Sequence, residues 1–237
     1  MEIKLKKKPK NPTVIEGFPG FGLVGTITTE FLIEHLDTEQ IGKISFEDLP
    51  AMVAIHDSKV VDPLGIFYNK RYNLVIIHAV TASKGFEWKL AEAIVKIAKQ
   101  LGAKEVISLE GVGAPQSQES KSQAFYYASD ARKEAKLKKI GINPLKEGII
   151  MGVTGSLLAR SDEVAISCIF SETKTNLPDS KAAAKIIEAL DKYLGLKVDY
   201  KPLLDQAAKF EDKLKGILQQ GEKVQADSEK KKLSYIA

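Results

Sequence analysis

The segment Gly17-Phe18-Pro19-Gly20-Phe21-Gly22-Leu23-Val24-Gly25 constrains the fold of this chain more than any other. It stands between an apolar run at 13–16 and a stretch in which Leu23, Ile27, Phe31 and His35 recur every four residues. The run reads as a short buried strand and the stretch as one face of a helix. A strand that enters a helix through a glycine-rich turn opens a layered α/β unit. The alternation then continues. Residues 41–44, 51–56, 65–68 and 72–80 have strand composition, and 87–101 is an amphipathic helix closed by Gly102. Residues 105–109 predict a strand ending in a second glycine turn, Gly111-Val112-Gly113. Beyond it the pattern predicts an edge strand at 123–129, a helix at 131–140, a strand at 148–153, a short helix at 156–160 and a strand at 164–170. A helix follows at 179–194, opened by Pro178-Asp179 and closed by Gly195. Strands alternating with helices from 13 to 195 predict an α/β domain with a largely parallel sheet.

Composition closes several other routes. Apolar runs such as 74–80 and 148–152 stop well short of the ~20 residues a membrane helix needs. The basic start, Met1 to Lys8, has no apolar core of the signal-peptide kind. A single cysteine, Cys168, forms no internal disulfide and no multi-cysteine zinc site, so a reducing cytoplasm is the expected location. Basic residues exceed acidic ones by only 35 to 31, and Arg71, Arg132 and Arg160 are the sole arginines. Base-edge and phosphate recognition lean on arginine, so neither nucleic acid nor membrane is an expected partner.

After residue 198 the strand signal ends. Leu203, Ala207, Phe210, Leu214, Ile217, Gly221 and Val224 follow a 4-3-4-3-4-3 spacing, the seam of a coiled coil. The same residues would also serve a terminal helix packed on its own domain. The expected division is an α/β domain at 1–198, an oligomerisation helix at 199–228 and a tail at 229–237. A charged spacer, Asp227 to Lys232, leads into Leu233-Ser234-Tyr235-Ile236-Ala237. That apolar segment reads either as a frayed end or as a docking peptide.

Candidate chemistry is sparse. Gly20-Phe21-Gly22-Leu23-Val24-Gly25 matches G-x-G-x-x-G between strand and helix, the setting of a dinucleotide site. The acidic residue expected on the second strand is not placed, and Phe18, Pro19 and Phe21 crowd the path of a phosphate. The other reading is a tight structural turn built by Gly17, Pro19, Gly20, Gly22 and Gly25. His35, His56 and His78 have no metal-ligand spacing, and no metal or other cofactor is expected. Asp48, Asp57 and Asp62 read as loop residues, so no carboxylate is an evident general base. Thr154-Gly155-Ser156 reads as a helix N-cap rather than a nucleophile turn, and Cys168 as a buried thiol.

Three segments together resemble the proteasome-assembly-chaperone family: the opening Gly17–Gly25 run, Leu109-Glu110-Gly111-Val112-Gly113, and Gly152-Val153-Thr154-Gly155-Ser156-Leu157-Leu158. The lysine-rich composition and added C-terminal helix are similar to archaeal members. The resemblance implies a three-layer α/β sandwich like that of nucleoside phosphorylases, a homo-oligomer, no established catalytic site, and the α-subunit ring of the 20S proteasome as partner. Proteasome activators end in a hydrophobic–Tyr–any tripeptide. Here Tyr235 stands third from the end rather than second, within the docking candidates Leu233, Tyr235, Ile236 and Ala237. The resulting expectation is a non-enzymatic, ATP-independent chaperone or activator with several tails. A nucleotide- or nucleoside-handling enzyme using the loops at 17–25 and 111–113 is the alternative.

Overall fold

The structure is a computed structural model that describes residues 1–46, 53–56, 59–80, 85–113, 123–173 and 177–205, together with positions 207, 209 and 216. Its strands are β1 (Glu2–Leu5), β2 (Thr13–Gly17), β3 (Thr38–Ser45), β4 (Ala54–His56), β5 (Lys59–Val61), β6 (Leu64–Asn69), β7 (Leu74–Ala79), β8 (Glu105–Gly113), β9 (Ala124–Ala128), β10 (Asn143–Pro144) and β11 (Ile166–Thr173). The α-helices are α1 (Val24–His35), α2 (Glu87–Leu101), α3 (Ala131–Lys139), α4 (Gly152–Leu158), α5 (Ser180–Leu194) and α6 (Lys201–Asp205).

Nine strands form one mixed sheet in the order β1-β3-β6-β7-β2-β8-β11-β9-β10, and β4 and β5 make a separate hairpin. The centre, β7-β2-β8-β11, is parallel, while β1, β3 and β6 extend it antiparallel on one side. Side chains of a strand alternate between faces, and a central parallel strand is covered on both. Accordingly Ile15, Ile76, Ile107 and Ile169 pack with α1 and α5, whereas Val14, Val75, Val106 and Cys168 pack with α2 and α4. The result is a three-layer α/β sandwich.

Helix ends follow local chemistry. Asp179 accepts from Ala182 N–H at the start of α5, and Gly102 and Gly195 take left-handed backbone at the ends of α2 and α5. Asp130 caps α3 by accepting from Arg132 and Lys133 N–H.

Several expectations are corrected. Gly111-Val112-Gly113 is not a turn: β8 runs through it, paired with β11 as far as Thr173. Residues 148–151 form no strand. The helix that follows begins at Gly152, so Thr154 and Ser156 lie inside it, and the Ser156 hydroxyl donates back to Gly152 O rather than capping. The lysine-rich start contains β1, an edge strand against β3. Finally, Leu203 does not open a free seam. It is 3% exposed and packs in the core formed by α1 and α5. Helical backbone continues at Ala207, while Phe210, Leu214, Ile217, Gly221, Val224 and the tail lie outside the described residues.

Candidate functional site

The parallel strands β2, β7, β8 and β11 all end on one side of the sheet, where open α/β folds bind ligands. The glycine segment lies there. Gly17 ends β2, and Pro19 and Gly20 lead into a 3-10 turn, Phe21–Leu23, before α1. Gly22 has φ 65°, a left-handed conformation that favours glycine. Gly25 is a point of close approach: a Cβ there would stand 2.4 Å from Leu109 O, so α1 rests directly on β8. A Cβ on Gly20 would fall 2.1 Å from Glu110 Oε1.

Glu110 therefore lies directly against the loop. A phosphate-binding turn offers free backbone N–H groups to an anion. Here Phe21 N–H donates to Glu110 Oε1 at 3.1 Å, and Gly111 N–H donates to the same oxygen at 3.1 Å. Leu23 N–H donates to Gly20 O, and Gly22 O accepts from Asp179 N–H. The protein's own carboxylate takes the place of the anion.

Glu110 belongs to a buried polar chain. Thr154 Oγ1, from α4, lies 3.2 Å from Glu110 Oε2 and 2.9 Å from Ser108 Oγ. Ser108 Oγ in turn meets Glu16 Oε1. The register places Glu16, Ser108 and Cys168 side by side across β2, β8 and β11, and Ser108 and Glu110 share one face of β8. Glu16 is fully buried, and burial pushes its carboxyl up to about 8. The hydrogen bond between Ser108 and Glu16 opposes that rise and the Glu110 charge adds to it. Burial also raises Glu110 to about 7, against the donors Thr154, Gly111 and Phe21. The Cys168 thiol is raised by the same burial and is a buried, free cysteine.

His78 and His35 are engaged structurally. His78 Nδ1 lies 2.8 Å from Thr29 Oγ1 and Nε2 lies 3.0 Å from Glu30 Oε2, while His35 stacks on Phe31. No group of three metal-ligating side chains occurs among the described residues. No helix among them is long and apolar enough to cross a membrane.

Sequence reasoning missed both Glu16 and Glu110. The available signal was an acid inside an apolar strand with parallel neighbours, because such a position faces a helix layer and not water. Around the same end of the sheet, Ile149 and Met151 are 92% and 78% exposed, an apolar step beside α4.

The structure therefore brings three separated segments to one carboxylate: the glycine turn through Phe21, the end of β8 through Glu110 and Gly111, and α4 through Thr154. They are the same segments that carry the resemblance drawn from sequence. The sequence profile of the PAC2 family matches residues 14–218. This chain belongs to the PAC2 family.

Among PAC2-like relatives, Uncharacterized protein MJ0106 of Methanocaldococcus jannaschii is 28% identical over 235 residues, spanning 98% of this chain and 96% of that one. The crystal structure of Pyrococcus furiosus PbaA, an archaeal homolog of proteasome-assembly chaperone, is 30% identical with a TM-score of 0.83. The match covers 94% of this chain and 100% of PbaA. Pyrococcus furiosus PbaB, an archaeal proteasome activator, has a TM-score of 0.75 at 22% identity, covering 91% and 98%. The PbaB likeness is one of fold.

Proposed function

We propose that this PAC2 protein is a proteasome-assembly-chaperone-like factor that docks on the α-subunit ring of the 20S proteasome without ATP. The observation that carries the reading is the match to PbaA over the whole of that chain, in fold and in sequence. In this reading Leu233, Tyr235, Ile236 and Ala237 are the docking residues. Ala207, Phe210, Leu214, Ile217 and Val224 form the contact between copies, on the part of the helix expected at 199–228 that lies beyond the body's last core residue, Leu203. One tail binds weakly because ordering a peptide costs entropy. Joined copies present several tails at high effective concentration, and avidity gains on the order of 10²–10⁴.

The self-filled anion position at Glu110 weighs against the nucleotide alternative. An added phosphate would compete with a carboxylate already bonded to two backbone N–H groups.

Native mass spectrometry of the protein mixed with 20S particles tests the proposal. The intact chain is expected to form a complex and a chain lacking residues 235–237 is not. Polar replacement of Phe210, Leu214 and Ile217 is expected to lower the particle mass and weaken docking together. A complex that survives the deletion overturns tail docking. A nucleotide that raises the melting temperature while the deletion changes nothing turns the assignment toward an enzyme.

A further inference from the structure

The polar chain beneath the glycine turn holds two acids and two hydroxyls, with no cation among the described residues facing it. Its titratable members are Glu16 from β2, Glu110 from β8 and Cys168 from β11. The buried residues of α2 and α4 over this face are uncharged, residues 17–23 carry no charge, and Asp179, whose N–H donates to Gly22 O on the other side of the turn, has its carboxylate engaged by Thr173 Oγ1 and Ala182 N–H.

Each hydroxyl has one proton to donate, and that sets the direction of the chain. Glu110 Oε1 accepts from Phe21 and Gly111 N–H, and Thr154 donates to Oε2. With its proton spent there, Thr154 accepts from Ser108. Ser108 has then spent its own proton, so its contact with Glu16 is bridged by a proton on Glu16. The opposite direction fits poorly. It leaves an ionised Glu16 with a single donor, because Oε2 meets none among the described residues, while two backbone N–H groups point at a Glu110 that carries no charge. A buried charge without donors is costly, whereas a neutral acid with one bare oxygen costs far less.

We infer that Glu16 and Glu110 share one proton through Ser108 and Thr154, held on Glu16, and that the Glu110 anion so produced is a latch that seats the Gly20–Leu23 turn on β8 and releases it when a second proton arrives. Protonation of Glu110 forms one O–H bond and removes the charge from the acceptor of two backbone N–H groups. Hydrogen bonds to a charged acceptor are roughly twice as strong as neutral ones, so mild acidification loosens the turn. The rise of both carboxyls, to about 7 at Glu110 and about 8 at Glu16, places the change near neutrality. This inference is independent of proteasome docking.

Carbon-13 NMR of glutamate-labelled protein, titrated from about pH 5 to 10, tests it together with hydrogen exchange of residues 20–24. One buried carboxyl is expected to remain protonated at neutral pH and to vanish from the spectrum of Glu16→Gln. Glu110→Gln mimics the released state. It is expected to lower the Glu16 midpoint and to speed exchange of the turn at pH 8 by on the order of tenfold. Wild type is expected to approach that rate at pH 6, after correction for the intrinsic pH dependence of exchange. Thr154→Val keeps the side-chain shape and removes one donor, so it is expected to raise the Glu110 midpoint. An ionised Glu16 at neutral pH in wild type overturns the inference. So does turn exchange that is equal at pH 6 and pH 8.

Discussion

Glu105 opens β8 and Glu110 lies near its other end, and the two ends of this one strand deal with buried acid differently. Glu105 is 3% exposed, as hidden as the Glu16 that faces Ser108. Yet Tyr193 Oη donates to its carboxylate at 3.0–3.1 Å, Ser167 Oγ adds a bond at 3.2 Å, and Lys133 Nζ lies 3.4 Å away. Lys133 reaches in from α3 with its side chain 25% exposed, so the cation keeps contact with water while it neutralises the acid. At the glycine-turn end no lysine reaches the chain among the described residues, and the neutralising charge is a proton. A buried carboxylate needs a compensating positive charge, and the source of that charge decides whether the site responds to pH.

The comparison breaks most sharply at Glu105. Replacing it with Ala strands Lys133, the Tyr193 hydroxyl and Ser167, and is expected to cost about 3–5 kcal/mol in urea unfolding. An effect under about 1 kcal/mol would mean that this network contributes no more than a surface ion pair.

The pH dependence has the next largest effect. Glu16 and Glu110 both lie above the ordinary carboxylate value in the folded state. Their stabilising contribution is therefore complete below that ordinary value and is lost as pH climbs through about 7 and then about 8. Unfolding stability is expected to fall between pH 5.5 and 8.5 by on the order of 3 kcal/mol for Glu16 alone. Glu16→Gln, neutral at every pH, is expected to flatten that decline. A wild-type profile that rises over this interval contradicts the charge assignment at the glycine-turn end.

The smallest change sharpens the comparison. Tyr193→Phe removes one hydroxyl from Glu105 but leaves Lys133 in place, and a loss of about 1–2 kcal/mol is expected. Burial and the nearby Glu105 charge hold the Tyr193 phenol well above its ordinary value, so this loss is expected to be the same at pH 6 and pH 9.

Some elements were legible from local chemistry alone. Helix α2 runs over Glu87–Leu101, as its periodicity predicts, and Gly102 ends it. Asp179 and Gly195 bracket α5. These succeed because an amphipathic period and a cap are properties of adjacent residues. The strand expected at 148–153 failed for the converse reason. Ile149 and Met151 are apolar but exposed, so their character carries no information about pairing. Gly111 and Gly113 resemble turn residues, and only the approach of the Phe21 loop shows that a strand needs a glycine at 111: a Cβ there would lie 2.0 Å from Phe21 O. The seam spacing likewise does not reveal that Leu203 belongs to the body's core; its neighbours on α1 and α5 do.

By itself the sequence determined the alternation of strands and helices, the glycine turn that joins β2 to α1, and the three segments by which the PAC2 family is recognised. All of these are encoded within short stretches of chain. The tertiary structure was needed to show that those segments converge on Glu110, that the turn's anion position is already filled, and that no cation among the described residues faces Glu16 as Lys133 faces Glu105. Whether a carboxylate is ionised depends on groups that arrive from other strands and helices, 44 residues away for Thr154 and Glu110 and 92 for Ser108 and Glu16, and no local pattern records them.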